Sequence, residues 1–176
     1  ASLRPGGARH FSWAKPAWEG LARIRDYIGA NPHFATKQEG LDYCKALSAS
    51  FGQLNEEEWL HLNTPQLRQR CAGDGCDPQR PWHLHYDPQI ATLAKAVTPE
   101  LLAQQEPLAW GLYDSLDQPT LLLRGAESDL ISMATALEMQ ERGPQAQVYT
   151  VQHCGHAPAL QDLAQIQVIE NFLLQS

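Results

Sequence analysis

The residues with chemistry to offer lie near the C-terminus: Asp129 in "PTLLLRGAESDLIS" and His156 in "VQHCGHAPAL". A carboxylate set against one imidazole nitrogen fixes the tautomer and stabilises the imidazolium, leaving the other nitrogen free to act as a general base. Hydrolases use this pairing. An Asp and a His on neighbouring loops are, on base rates, a turn former and a polar surface group. What surrounds them therefore decides the reading.

Each residue follows a strand-like run. "PTLLLRG" is continuously apolar and closed by Gly125, and "AQVYTVQ" is rich in β-branched and aromatic residues. Between them "SMATALEMQERGP" offers Ser132 as an N-cap and Gly143-Pro144 as a terminator. The last segment, "LAQIQVIENFLL", spaces Leu163, Ile166, Ile169 and Phe172 by three and predicts an amphipathic helix. A strand-helix-strand-helix ending predicts adjacent parallel strands, which brings Asp129 and His156 out on one sheet edge, where ligands bind in such folds.

Upstream the composition differs. "TKQEGLDYCKALSASFG" carries a Thr-x-x-Glu capping box and apolar Leu41, Cys44 and Leu47 at helical spacing, with Gly52 as a stop. "NEEEWLHL" repeats the box with Asn55 and Glu58, and "TPELLAQQ" starts with Thr98 as cap and Pro99 at the first helical position. The Glu56 to Glu58 run suits a helix N-terminus. From about Gly20 to Gln105 the chain reads as short helices joined by loops.

"LLLRGAESDLIS" and "HCGHAPAL", followed by a helix ending in "ENFLL", resemble the acid and histidine segments of the α/β-hydrolase superfamily. In that family the triad order is Ser, Asp, His. The resemblance implies that Asp129 orients His156, that His156 is the general base and then acid, and that no cofactor takes part. It is most specific from about Pro119 onward. "EGLARIRDYIG", "FGQLNEEEW" and "HYDPQIA", with Trp59, look like the helical cap that many members insert before strand seven. The implied organisation is a linker over 1–19, a helical cap region over 20–110, and the C-terminal part of the main domain over 111–176. The fold class is thus α/β, with an incomplete parallel sheet.

The chain departs from the family pattern in one respect. The nucleophile should sit on a Gly-x-Ser-x-Gly elbow, and Ser115, Ser128 and Ser132 all lack the flanking glycines. Only two buried strands are legible, too few for a parallel core. The expectation is a fragment of a serine-type esterase, inactive alone and completed by an N-terminal segment of the same protein or by a complementing chain. An Asp-nucleophile dehalogenase or epoxide hydrolase, or a non-catalytic module completed by a partner, are the alternatives.

The remaining signals are weaker. With 176 residues and 43% hydrophobic content the chain can bury one core, and four cysteines are too few for a disulfide scaffold. A net charge of -7 opposes nucleic-acid binding. No run approaches the roughly 18 apolar residues of a membrane span, and no signal core is visible, so a cytoplasmic protein is expected. Cys71, Cys76, His83 and His85 cluster, but their spacing fits zinc poorly, and a cap loop over Gly73 to Pro81 explains the stretch better. Cys154 lies too near His156 in sequence to serve as its nucleophile and is read as packing. Trp13, Trp18, Trp82 and Trp110 are candidates to line a cavity for a small apolar ester-like substrate, although large aromatics more often fill cores.

Overall fold

The computed structural model describes residues 14–69, 77–156 and 158–175. Helix α1 (Ala14–Tyr27) opens it and begins inside the stretch expected to be linker, whose first thirteen residues lie outside the described ones. Then come α2 (Lys37–Leu47) and α3 (Glu56–Asn63), each started by the anticipated cap. Thr36 Oγ1 accepts from the Glu39 amide at 3.2 Å, while the Glu39 carboxylate reaches back to the Ala35 amide instead of Thr36. At Asn55 the box closes in both directions, with bonds of 3.0 and 2.8 Å to and from Glu58.

Three short strands, β1 (His33–Phe34), β2 (Leu67–Gln69) and β3 (Trp82–Leu84), form an antiparallel sheet in the order β1-β3-β2. The sequence did not announce them. Two or three residues cannot display an alternating pattern, and His33, Arg68, Gln69 and His83 mask what pattern there is. This sheet and α2 enclose a core of Phe34, Leu41, Cys44, Leu67 and Leu84, with Tyr43, Trp82 and Tyr86 packed against it. Asn63 is 1% exposed and locks α2 to α3: its side chain donates to the Trp59 carbonyl and accepts from the Ser48 hydroxyl at 3.2 Å. A buried polar group so fully bonded fixes geometry without the usual desolvation cost.

After α4 (Ile90–Ala96), helix α5 (Pro99–Asp114) leads into the α/β ending. Strands β4 (Leu121–Gly125) and β5 (Gln147–Val151) run parallel, pairing Leu121 with Gln147 through Gly125 with Val151, and α6 (Met133–Glu141) crosses between them. Ser132 caps α6 through the Thr135 amide at 3.0 Å, and Gly143 turns the chain with φ of 53°. Helix α7 (Leu163–Gln175) follows β5, as its spacing predicts. It has no buried residue, however, and Leu163, Leu173 and Leu174 are 80%, 67% and 79% exposed. Among the described residues, no helix is long and apolar enough to cross a membrane.

Candidate functional site

The two loops that leave β4 and β5 are stitched to each other by backbone hydrogen bonds. The Ala126 amide donates to the Val151 carbonyl at 2.8 Å and the Glu127 amide to the Cys154 carbonyl at 2.9 Å. Gly125 permits this approach, because a Cβ there would stand 1.7 Å from the Gly155 carbonyl oxygen. The Asp129 loop turns through a bond from the Ser128 amide to the Gly125 carbonyl. The His156 loop turns at His153, whose φ is 53°.

A buried arginine braces the first loop from beneath. Arg124, the penultimate residue of β4, is 6% exposed; its Nε donates to the Ile131 carbonyl at 2.6 Å and a terminal nitrogen to the Ala126 carbonyl at 3.3 Å. Those acceptors flank Glu127 to Leu130, so one planar guanidinium ties both ends of the loop. Burial pushes its pKa below the usual value. That cost is partly offset by the two charge-assisted bonds.

Elements from the helical region grip both loops from above. Gly20 of α1 lies against the Asp129 carbonyl and the Leu130 side chain, where an added Cβ would come within 2.9 and 2.5 Å. One turn later Arg23 Nε donates to the Asp129 carboxylate at 2.8 Å. On the other side, the Gly155 amide donates to the Ser50 carbonyl at 2.6 Å and the Ala159 amide to that of Phe51 at 3.2 Å. Arg23 and Ser50 gave no warning in the sequence, since contacts between residues so far apart along the chain leave no local signal.

Asp129 and His156 emerge on the same edge, as anticipated. Their charges act on each other, yet the carboxylate makes its hydrogen bond to Arg23. That bond, with the attraction of the guanidinium, holds the Asp129 carboxyl below the usual carboxylate range, and burial opposes it. Burial lowers the His156 pKa, with repulsion from Arg23 in the same direction and attraction to Asp129 against it. His156 is therefore a neutral imidazole at pH 7, the form a general base requires.

The side chain that reaches His156 Nδ1 is Ser128, whose Oγ stands at 3.4 Å. The same oxygen accepts from the Ile131 amide at 3.1 Å. Cys154, fully buried, points its thiol at the Gly155 carbonyl, and burial followed by the nearby Glu127 pushes its pKa up. It stays a protonated thiol that packs beneath the histidine loop.

Behind the Asp129 loop lies a nearly apolar cavity of about 330 Å³, walled by Leu21, Trp110, Tyr113, Leu130, Ile131 and Met139. Of the tryptophans singled out from the sequence, Trp110 lines it, Trp82 in β3 packs against the core, and Trp18 lies under the Arg25 guanidinium. Trp13 lies outside the described residues, as do Cys71 and Cys76 of the suspected zinc cluster and Gly73 to Cys76 of the loop. His83 stands in β3, its ring stacked with that of His33 at 6.1 Å.

No protein-family model matches the chain. It is 39% identical over 158 residues to the 3-hydroxybutyrate-oligomer hydrolase of Cupriavidus necator, a match that takes in 90% of this chain and 53% of that protein. Among solved structures, an α/β hydrolase of Novosphingobium aromaticivorans superposes with a TM-score of 0.70 at 29% identity, over 90% of this chain and 52% of its own. An E-2-(acetamidomethylene)succinate hydrolase shares the fold at a TM-score of 0.63 and 16% identity, over 89% of this chain and 52% of its own. The chain thus spans about half the length of the relatives it matches.

Proposed function

We propose that this chain, whose fold is that of the C-terminal part of the α/β hydrolases, supplies the histidine and carboxylate for hydrolysis of ester bonds in short hydroxyacid oligomers. The observation that carries this reading is the shared edge of β4 and β5. There a neutral, partly buried His156 stands beside the Asp129 carboxylate on loops cross-stitched by hydrogen bonds. In this reading His156 Nε2 takes the proton of a serine nucleophile and returns it to the leaving alcohol. Asp129 stabilises the resulting imidazolium through space. The substrate class is drawn from the name of the Cupriavidus relative, and the apolar cavity beside Leu130 and Ile131 suits the short hydrocarbon part of such a unit.

The nucleophile belongs to a segment outside these residues, and the chain alone is inactive. Two features support this. No serine here sits between the glycines of an elbow, and α7 and β4 leave apolar surface that a parallel sheet normally covers. The test is release of 3-hydroxybutyrate from its dimer and trimer by residues 1–176 alone and by the longer polypeptide that contains them. Turnover by the longer form, abolished by His156→Ala, is expected. Turnover by residues 1–176 alone, or a longer form indifferent to His156→Ala, would sink the reading.

A further inference from the structure

We propose that Arg23 of α1 is a specificity-determining residue: its guanidinium receives the free carboxylate of the leaving hydroxyacid while His156 and Asp129 act on the ester. The inference rests on the reading of the site as a hydrolase of hydroxyacid oligomers, and it names the end of the oligomer that is gripped.

The placement of the cation comes first. Among the described residues the charges that act on His156 are those of Asp129 and Arg23, so Arg23 is the cation of the reacting edge. The chain as a whole is acidic, with a net charge of -7, and would otherwise repel an anion. In a 3-hydroxyacid ester the carboxylate of the leaving unit is two carbons on from the one that bears the ester oxygen, the atom to which His156 returns the proton. A cation that His156 feels therefore lies in the neighbourhood that this carboxylate must occupy.

The donors of Arg23 suit the task. A guanidinium presents five N–H donors in a planar fork, and the bond to Asp129 Oδ2 is made by Nε at 2.8 Å. The two terminal nitrogens form the further edge of the fork, which matches a second carboxylate in a bidentate pair. With the side chain 48% exposed, a ligand can reach it. Asp129 remains the acid whose charge acts on His156, and Arg23 holds one of its oxygens.

The helix also fixes where the cation stands. Gly20, three residues before Arg23 and on the same face of α1, meets the Asp129 carbonyl and Leu130 so closely that an added Cβ would come within 2.9 and 2.5 Å of them. Leu21 and Leu130 carry this contact on into the wall of the apolar cavity. A hydrocarbon wall and a cation on one helix match the two parts of a hydroxyacid unit, its methyl-bearing carbon and its carboxylate.

The test compares two substrates of the longer polypeptide, the 3-hydroxybutyrate dimer and the same dimer with its terminal carboxylate converted to a carboxamide, each followed by ester cleavage. The parent should prefer the acid in kcat/KM by roughly tenfold to a hundredfold, the worth of a charge-assisted contact, chiefly through KM. Arg23→Gln should erase that preference, and Arg23→Lys should keep part of it. Any effect of the substitution on His156 through Asp129 is common to both substrates and cancels in the ratio. A parent that treats acid and amide alike would overturn the proposal, as would an Arg23→Gln variant that keeps the parent's ratio. Binding gives a second readout that needs no turnover: saturating 3-hydroxybutyrate should shift the Arg23 Nε–H signal in ¹⁵N NMR of the longer polypeptide, and 3-hydroxybutyramide should not. A signal that the acid leaves unmoved would also overturn it. If the acid shifts the signal while His156→Ala keeps full activity, the carboxylate site stands and the catalytic reading of His156 fails.

Discussion

Arg23 donates to the carboxylate of Asp129 at 2.8 Å across 106 residues of chain, so a helix of the N-terminal region sets the electrostatics of a loop near the C-terminus. Both side chains are more than a third exposed, and the pair adds little to stability. Its consequence falls on His156, which feels both charges.

The two partners therefore push the His156 pKa in opposite directions, and their removal should be read with opposite signs. Arg23→Gln takes away a positive charge that disfavours the imidazolium, so the pKa of His156 should rise. Asp129→Asn takes away the attraction and should lower it further below the usual histidine value. NMR titration of the ring in each variant checks this. Shifts of the same sign in both would show that Arg23 and Asp129 act on His156 only as a neutralised unit.

Stability should fall on acidification in two separate windows. The folded-state pKa of His156 lies below its ordinary 6.5, so from pH 6.5 downward the unfolded chain binds a proton that the folded chain resists, and stability declines until the folded form also titrates. The Asp129 pKa lies below its ordinary 3.8, so its contribution is whole above that pH and is lost as pH falls from there through the folded value. Denaturant unfolding at a series of pH values should show His156→Gln flattening the upper window and Asp129→Asn flattening the lower, while Asp129→Asn also extends the upper window because His156 loses an attraction. If His156→Gln left the slope just below pH 6.5 unchanged, the burial of the imidazole would have no energetic consequence.

Much of this was legible in sequence, for reasons that differ by element. The caps at Thr36, Asn55, Thr98 and Ser132 were readable because a cap is a contact over three residues. β4 and β5 were readable from the apolar run Leu121 to Leu123 and from the β-branched and aromatic Val148 to Val151. The antiparallel strands around Trp82 were not, since pairs such as Phe34 with Trp82 are made by tertiary structure from segments too short to have a period. At the site, Asp129 and His156 were singled out by their place after strands together with the family resemblance of the segments around them. Ser128 was considered only as a nucleophile, because its contact with the His156 ring is made across 28 residues of chain, and Arg23 was invisible because nothing local links α1 to the loop after β4.

Two glycines should respond to the same substitution with opposite signs. Gly125→Ala forces a methyl to 1.7 Å from the Gly155 carbonyl oxygen, backbone against backbone, and should destabilise by about 3 kcal/mol, the upper end for overpacking. Gly111 lies inside α5 with nothing within 4 Å of its would-be Cβ, so Gly111→Ala should stabilise by roughly 0.5–1 kcal/mol through helix propensity. Unfolding curves for both variants are the measurement. A neutral Gly125→Ala would mean that the two loops can part without cost and that the stitching between them does not hold the site.

Arg124 offers the sharpest test of how the Asp129 loop is held. Its guanidinium reaches the Ile131 and Ala126 carbonyls together because its nitrogens form a fixed fork, which the single ammonium of lysine cannot reproduce. Arg124→Lys keeps the charge and most of the stem but should lose one of the two bonds, at a cost of about 1.5–3 kcal/mol for a charge-assisted contact left unmade in a buried place. The loss should be local before it is global. Amide exchange at Ile131, whose N–H is bound to Ser128 Oγ, and at Glu127, whose N–H is bound to the Cys154 carbonyl, should quicken more than exchange within β5. If charge alone were the purpose of Arg124, the lysine variant would protect both amides as well as the parent does, and the guanidinium would not be the brace that keeps Ser128 beside His156.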